Sequence, residues 1–303
     1  MMYDLMIIGA GTAGLSAAIY ATRAGLSTLV FEGEMYGGQI IVSPTVENYP
    51  GIGCISGADF ANNLYAQAEQ LGVQFAFEAV VSAENHTDKK VVNTANATYE
   101  AKALILATGA KNRPLGIAGE DRLTGRGISY CATCDGSFFQ GKTVAVMGGG
   151  NTALEDAEVL SKLCSKVYLI HRRSEFRGES SQVERLKKLP NVEFILDTTI
   201  VELHGDTALS SVTLEHLPTQ KREHLELDGL FVAIGQIPQN AAFTNLVETD
   251  SYGYVAANED CHTNVAGIYA AGDGRTKTVR QLVTAAADGA VAALAAAEYI
   301  RAL

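Results

Sequence analysis

Gly9-Ala10-Gly11-Thr12-Ala13-Gly14 stands directly after an apolar run over residues 3–8 and directly before a helical pattern that reaches about Gly25. A second apolar run, residues 27–31, follows and ends on Glu32. Strand, glycine turn, helix, strand, acid is the order of a dinucleotide-binding unit. Gly9 permits the turn, Gly11 lets a pyrophosphate approach the backbone and Gly14 lets helix meet strand, while Glu32 is placed to accept hydrogen bonds from ribose hydroxyls.

Outward from there, the same grammar returns. An apolar strand over 143–147 enters Gly148-Gly149-Gly150-Asn151-Thr152-Ala153, a helical pattern runs to about Leu163, and a strand over 166–170 ends at His171. Glu32 lies 23 positions after Gly9, and His171 lies 23 positions after Gly148. Equal spacings mark an internal repeat and predict an α/β chain with two Rossmann-like dinucleotide-binding domains. Short β-like pieces fill 73–107 and close on Thr108-Gly109; others lie near 192–196, 209–215 and 229–234. Hinges are expected near 112–117 and 237–243. The second domain, 115–242, is then inserted into the first, 1–114 with 243–303.

The second fingerprint has no acid where the first has Glu32. It shows His171-Arg172-Arg173, with Arg177 four residues beyond. A carboxylate repels a 2′-phosphate, whereas a guanidinium pairs with it in a bidentate fork. Two such bonds at about 1.5–3 kcal/mol each favour NADPH over NADH by about a hundredfold or more. A solvated basic loop is the bland alternative. A third constellation lies at 263–273, where an apolar run ends in Gly272-Asp273 and Arg280-Gln281 opens a long helix. Gly272 admits a cofactor, Asp273 suits a sugar-alcohol hydroxyl, and the helix start suits an anionic edge.

Cys131-Ala132-Thr133-Cys134-Asp135 begins seventeen positions before Gly148. A CxxC pair reads as a metal half-site, a structural pair or a redox dithiol. No second CxxC or paired histidine completes a zinc tetrad, so no metal is expected and the redox reading is favoured. Exchange needs close sulfurs and a nearby proton acceptor, and Asp135 is placed for that role unless it merely caps a turn. Cys54, Cys164 and Cys261 stand singly in the sequence, and Cys54 and Cys261 read as buried spectators.

The 303 residues carry a formal net charge of −11, which argues against a nucleic-acid partner because neutralising phosphates needs a basic face. At 47% hydrophobic and 19% charged, the composition is that of an ordinary soluble protein. The start of the chain has no basic leader region, and unpaired cysteines suit a reducing compartment, so a cytoplasmic location is expected. Residues 285–297 hold nine alanines interrupted by Asp288 and Gly289, which reads as a packed helix and not as a membrane span.

Taken together, "GAGTAG" at 9, "GGQ" at 37, "VENYPG" at 46, "CATCDG" at 131, "GGGNTALEDA" at 148, "HRRSEFR" at 171, "GIYAAGD" at 267 and "RQLVTAAADGA" at 280 closely resemble the low-molecular-weight thioredoxin reductases. These are flavoproteins of the pyridine nucleotide-disulfide oxidoreductase superfamily, and the likeness covers nearly the whole chain. It implies FAD at Gly9, Gly11, Thr12, Ala13, Gly14, Glu32, Gly38, Gln39, Asn48, Thr108, Gly109, Gly272, Asp273, Arg280, Gln281 and Leu282. It implies NADPH at Gly148, Gly149, Gly150, Asn151, Thr152, His171, Arg172, Arg173 and Arg177. Electrons then pass from NADPH through FAD to Cys131 and Cys134, with Cys134 facing the flavin, and finally to a thioredoxin. A homodimer is implied as well. Arg126, Phe138 and Phe139 flank the pair and would offer a charge and an apolar face to the thioredoxin, although two adjacent phenylalanines more often belong to a core. Nicotinamide, dithiol and partner cannot all be served in one rigid pose, so rotation about the hinges is expected. A noncatalytic flavin-binding sensor would leave the second nucleotide site without a purpose.

Overall fold

The computed structural model describes residues 2–43 and 45–303, which separate into two compact units, Met1–Lys111 with Ile237–Leu303, and Asn112–Gln236. In the first unit the chain runs β1 (Met2–Ile8), α1 (Thr12–Arg23), β2 (Thr28–Phe31), α2 (Gly57–Gln70), β3 (Gln74–Ala76), β4 (Val80–Asn85), β5 (Lys90–Thr94) and β6 (Thr98–Leu106). It leaves through β7 (Ala110–Asn112). The second unit holds α3 (Glu120–Leu123), β8 (Ile128–Ser129), α4 (Ala132–Asp135), β9 (Thr143–Gly148), α5 (Asn151–Ser161), β10 (Lys166–Ile170), α6 (Ser180–Leu186), β11 (Val192–Ile195), β12 (Thr198–His204), β13 (Ser211–His216), β14 (Lys221–Glu226) and β15 (Gly229–Ala233). The chain returns through β16 (Gln236–Pro238), which pairs with β7, and ends with β17 (Ile268–Ala270) and α7 (Leu282–Arg301).

The sheet of the first unit has the order β3-β2-β1-β6-β5-β4. Its β3, β2, β1 and β6 run parallel, whereas β5 and β4 add antiparallel strands. The long β6 pairs with β5 through its first half and with β17 through Leu104–Leu106. Both faces of β1 are buried: Leu5 and Ile7 join the core beneath α1 and α7, and Met6 and Ile8 join the one on the opposite side. That explains why the strand reads as an unbroken apolar run instead of an alternation. In the second unit the five-stranded sheet β11-β10-β9-β15-β8 is parallel throughout. Its two faces bury Val144 and Val146 on one side, Ala145 and Met147 on the other. The antiparallel β12-β13-β14 stands beside it.

Helix ends follow local chemistry. The α1 helix stops where Gly25 takes φ +83°, with Gly25 N–H bonded to Thr22 O at 2.9 Å and Leu26 N–H to Ala21 O at 3.1 Å. A side chain with a Cβ adopts that left-handed conformation at a cost, so glycine ends the helix. The α2 helix starts at Ser56, whose Oγ accepts the N–H of Asp59 at 3.0 Å. By length and apolarity α7 is long enough to cross a membrane, yet it packs as a core helix: Ala292, Ala293, Ala296 and Ile300 are buried against the α1 side of the sheet. Its Asp288 lies in a buried charge cluster with Arg275 and Lys277.

Candidate active site

In each unit a helix begins at a glycine that no side chain caps. Gly11 precedes α1 and Gly150 precedes α5, both extended. Around them the fingerprint glycines divide into crowded and open positions. A Cβ on Gly9 would lie 2.3 Å from Ala107 O, and one on Gly14 1.8 Å from Gly9 O. One on Gly148 would lie 2.4 Å from Ala233 O. These glycines let the turn press on its own sheet. At Gly11 the nearest atom would stand 3.9 Å away, and at Gly150 nothing lies within 4 Å. Each open glycine stands at the N-terminus of a helix, where uncapped N–H groups and the positive end of the macrodipole favour an anion. A pyrophosphate fits both cradles.

The remainder of the first cradle is assembled from distant segments. Glu32, at the end of β2, accepts the N–H of Ala10 and the N–H of Glu34, each at 2.9 Å, which holds its carboxylate against the turn. Gly37 pairs with Gly11 as an isolated bridge, which brings Gly38 to 3.5 Å from Gly11 Cα as measured from an added Cβ. The Gln39 side chain donates to Ala110 O, and Asn48 donates to Gln281 at 3.3 Å. Thr108 donates to Asn240 at 2.6 Å beside Gly109 and Gly274. Gly272, at φ +77°, touches Ala13 so closely that a Cβ would meet the alanine methyl at 2.8 Å. Asp273 follows it, with Oδ1 buried and unpartnered among the described residues. Burial pushes its carboxyl upward, opposed by Lys277 and Arg280. An unpaired buried oxygen is costly unless a ligand hydroxyl meets it, so Asp273 fits a flavin's polyol chain. Arg280 lies over the Tyr254 ring at 4.3 Å, and its Nε donates to Asp273 O at 3.3 Å. Gln281 caps α7, whose first residue is Leu282.

Asp288 N-terminal to Gly289 completes this corner in a way that sequence patterning did not bring out. Its Oδ2 accepts the N–H of Gly272 at 2.9 Å, Arg275 Nε at 2.9 Å and Lys277 Nζ at 2.8 Å. Burial pushes the Asp288 carboxyl up, but Arg275 and Lys277 together hold it below the usual carboxylate range. The signal was present as a lone carboxylate on the apolar face of an alanine-rich helix.

In the second unit the arginine loop is bound back to the fingerprint. Arg177 N–H and Gly178 N–H both donate to Gly149 O, at 2.8 and 3.2 Å, and Asn151 Oδ1 accepts the N–H of Glu179 at 2.9 Å. Thr152 begins α5 beside Asn151. The Arg172, Arg173 and Arg177 side chains are exposed, and none is paired with a carboxylate among the described residues. His171 behaves differently. Its ring is buried, stacks on Phe176 at 5.0 Å, and occupies the space a Gly149 side chain would need. Burial holds the imidazole below its ordinary range, and Arg177, Arg172 and Arg173 push in the same direction.

Cys131 and Cys134 form a disulfide across α4, with Cα atoms 5.3 Å apart. The half-buried Asp135 caps no backbone group among the described residues. Its Oδ2 accepts Ser129 Oγ at 2.6 Å, and its Oδ1 is buried and unpartnered among the described residues. Burial raises its pKa, opposed by the Ser129 bond. Beneath α4, Asp156 on α5 accepts the N–H of Ala132, and burial pushes that carboxyl up to about 7. Neither Ser129 nor Asp156 was singled out from the sequence. Of the flanking residues, Phe138 is exposed, whereas Phe139 turns into the core against Phe231 at 5.3 Å, so Phe139 offers no docking face. Cys164 and Cys261 are buried, with thiols pushed by burial to about 11 and about 12. Cys54 corrects the expectation of burial: it is exposed, because the loop before α2 leaves it uncovered.

The family described as pyridine nucleotide-disulphide oxidoreductase matches residues 3–289. A thioredoxin reductase of Treponema pallidum is 44% identical over 98% of this chain and 97% of its own length. One from Listeria innocua is 41% identical over 100% of this chain and 95% of its own length. The crystal structure of thioredoxin reductase from Streptococcus pyogenes superposes with a TM-score of 0.95 at 39% identity, covering 100% of this chain and 99% of that one. With both nucleotide cradles and the sulfur pair inside one uninterrupted match, the chain belongs to the pyridine nucleotide-disulphide oxidoreductase family.

Proposed function

We propose that the chain is an NADPH-dependent, FAD-containing disulfide reductase whose acceptor is a thioredoxin. The observation that carries the reading is the Cys131–Cys134 disulfide followed directly in the chain by Asp135, whose Oδ1 is buried without a hydrogen-bond partner among the described residues. FAD would be held by the first unit through Gly9 to Gly14, Glu32, Gly38, Gln39, Asn48, Thr108, Gly109, Gly272, Asp273 and Arg280 to Leu282. NADPH would be held by the second through Gly148 to Thr152 and the guanidinium groups of Arg172, Arg173 and Arg177, with His171 supporting the turn from below. When bound, this cofactor pair would supply the hydride chemistry that no side chain of the polypeptide possesses, linking a nicotinamide donor to a disulfide acceptor.

The protein's own residues then perform thiol–disulfide exchange. In the reduced pair one thiol gives its proton to the Asp135 carboxylate, and the thiolate attacks one sulfur of the partner disulfide. One S–S bond forms between the proteins and the partner's other sulfur leaves as a thiolate, which takes a proton from Asp135. The second cysteine gives its proton to Asp135 in turn and attacks the mixed disulfide, re-forming Cys131–Cys134 and releasing the partner's first sulfur as a thiolate that takes that proton. Two electrons and two protons have moved to the partner. Its potential, about −270 mV for a thioredoxin, requires a similar or lower value for this pair. Likeness to relatives named thioredoxin reductase supports the acceptor. A cytoplasmic homodimer belongs to the same reading.

Anaerobic NADPH added to the FAD-loaded protein is expected to bleach the flavin quickly, and oxidised thioredoxin to restore its colour. Cys134→Ser should still bleach yet lose thioredoxin reduction entirely. Slow bleaching, or thioredoxin reduction that survives the substitution, rejects the proposal.

A further inference from the structure

The two oxygens of Asp135 stand in different surroundings. Oδ1 is buried without a partner among the described residues, whereas Oδ2 is held at 2.6 Å by Ser129 Oγ. Ser129 is itself 5% exposed and ends β8, where it pairs with Phe231 of β15 in a parallel sheet. Its oxygen also lies 3.1 Å from the N–H of Cys131, which it accepts. A hydroxyl has one proton to give. The short, charge-assisted contact with the carboxylate takes that proton, and the Cys131 N–H meets a lone pair. A continuous link therefore runs from the backbone of the first cysteine, through a side chain anchored on the sheet, to one oxygen of the acid.

We propose that Ser129 is a positioning residue for the exchange reaction: its hydroxyl fixes Asp135 Oδ2 to the Cys131 backbone, which leaves Oδ1 as the atom that takes and returns the proton. The inference rests on the acid–base role proposed above for Asp135. Without the hydroxyl, the carboxyl would lose its tie to the Cys131 backbone, and the two oxygens would no longer be distinguished by a bonded and an unbonded position. The same bond favours the ionised carboxyl and opposes the effect of burial, so its removal must raise the Asp135 pKa further.

The groups that face α4 have to be separated from this effect. Asp156 on α5 accepts Ala132 N–H and has its carboxyl pushed up to about 7 by burial, and the neighbouring Glu155 is exposed on the same helix. Tyr130, next to Ser129, donates to Glu120 at 2.6 Å. The turn over residues 136–139 carries no ionisable side chain. Asp156 is thus the other carboxyl that burial raises next to α4, and it is unchanged in every variant below.

Asp135 protonation is to be followed in the FAD-loaded protein by the infrared carboxyl band that disappears in Asp135→Asn, alongside the pH profile of single-turnover thioredoxin reduction. Ser129→Ala is expected to move the band's titration and the corresponding limb of the profile upward by about one pH unit, and to slow the exchange below that limb. Ser129→Thr, which keeps the hydroxyl, should titrate as the unsubstituted protein. In an Asp135→Asn background Ser129→Ala should shift nothing. An Ala variant whose band does not move, or a Thr variant shifted like the Ala one, overturns the role of the hydroxyl while leaving Asp135 as the acid. If Asp135→Asn itself leaves the profile unchanged, the acid–base reading falls and the positioning role falls with it.

Discussion

Asp156 shows what a single buried carboxyl does to this protein. Its pKa is raised by burial to about 7, and the Ala132 N–H only partly offsets that. In the unfolded chain an aspartate titrates near 3.9. A group whose folded pKa is raised binds more protons folded than unfolded between the two values, so its contribution is complete below about pH 4 and is lost as pH rises through about 7. A shift of about three units corresponds to about 4 kcal/mol at the upper limit. Asp156→Asn keeps an acceptor for Ala132 N–H without the ionisation. The variant is expected to be more stable than the unsubstituted protein at pH 8, by about 1–3 kcal/mol, and to gain little at pH 4. Urea unfolding at the two pH values checks this; an equal gain at both, or none at pH 8, would show that the carboxyl is not the pH-sensitive element. The charge appears where Asp156 meets the Ala132 N–H, on the residue that follows Cys131 and opens α4.

Packing of α7 on α1 is the element-scale decision. Gly289 stands at the crossing, where a Cβ would lie 2.2 Å from Ala13 O and 2.8 Å from Ala17 N. Backbone atoms cannot swing aside as a flexible side chain can, so the helices must separate if anything larger than hydrogen is placed there. The same α1 segment carries the first fingerprint, and Asp288, next to Gly289, holds Gly272 N–H. Separation therefore disturbs the cofactor cradle as well as the core. Gly289→Ala is expected to cost about 1–3 kcal/mol and to weaken FAD retention on gel filtration, whereas Ala287→Val, at an exposed position on the same helix, should do neither. A Gly289→Ala protein that keeps both its melting temperature and its yellow colour would show that the crossing has slack. The N-terminus of α7 has its own lock: Gln281 and Thr284 form a reciprocal capping box, with Gln281 N–H donating to Thr284 Oγ1 at 3.1 Å.

The chain crosses between its two units twice, at Lys111–Asn112 and at Gln236–Ile237. One unit carries the first fingerprint with Asp273; the other carries both the sulfur pair and the second fingerprint. On the proposed function the nicotinamide and the disulfide take turns at one flavin, and the thiols then meet a separate protein. Those demands conflict in any single pose, so turnover is expected to need rotation about the two crossings. A covalent crosslink between the units should abolish steady-state NADPH-dependent thioredoxin reduction while leaving FAD bound. Full turnover in the crosslinked protein would rule rotation out. That an α/β fold with two such nucleotide cradles would form was legible in the chain, and so was the CxxC as a sulfur pair, whereas β12 and β14 were not expected. In β14 nearly every side chain is exposed, so no apolar alternation announces the strand.

What the sequence determined alone was local. Glycines at 9, 11, 14, 148 and 150, an acid 23 residues after the first fingerprint or a histidine leading into arginines at the same spacing after the second, and two cysteines three apart are each read within one turn, strand or spacing, where backbone sterics and charge leave few alternatives. Tertiary structure decided which distant groups meet: Ser129 with Asp135, Asp156 with Ala132, Asp288 with Gly272 and Arg275, and the outward face of Cys54. Those contacts depend on a sheet order in which β17 returns beside β6 from the far end of the chain. The partners of a buried polar group are set by which strands and helices pack together, and one-dimensional periodicity does not contain that information.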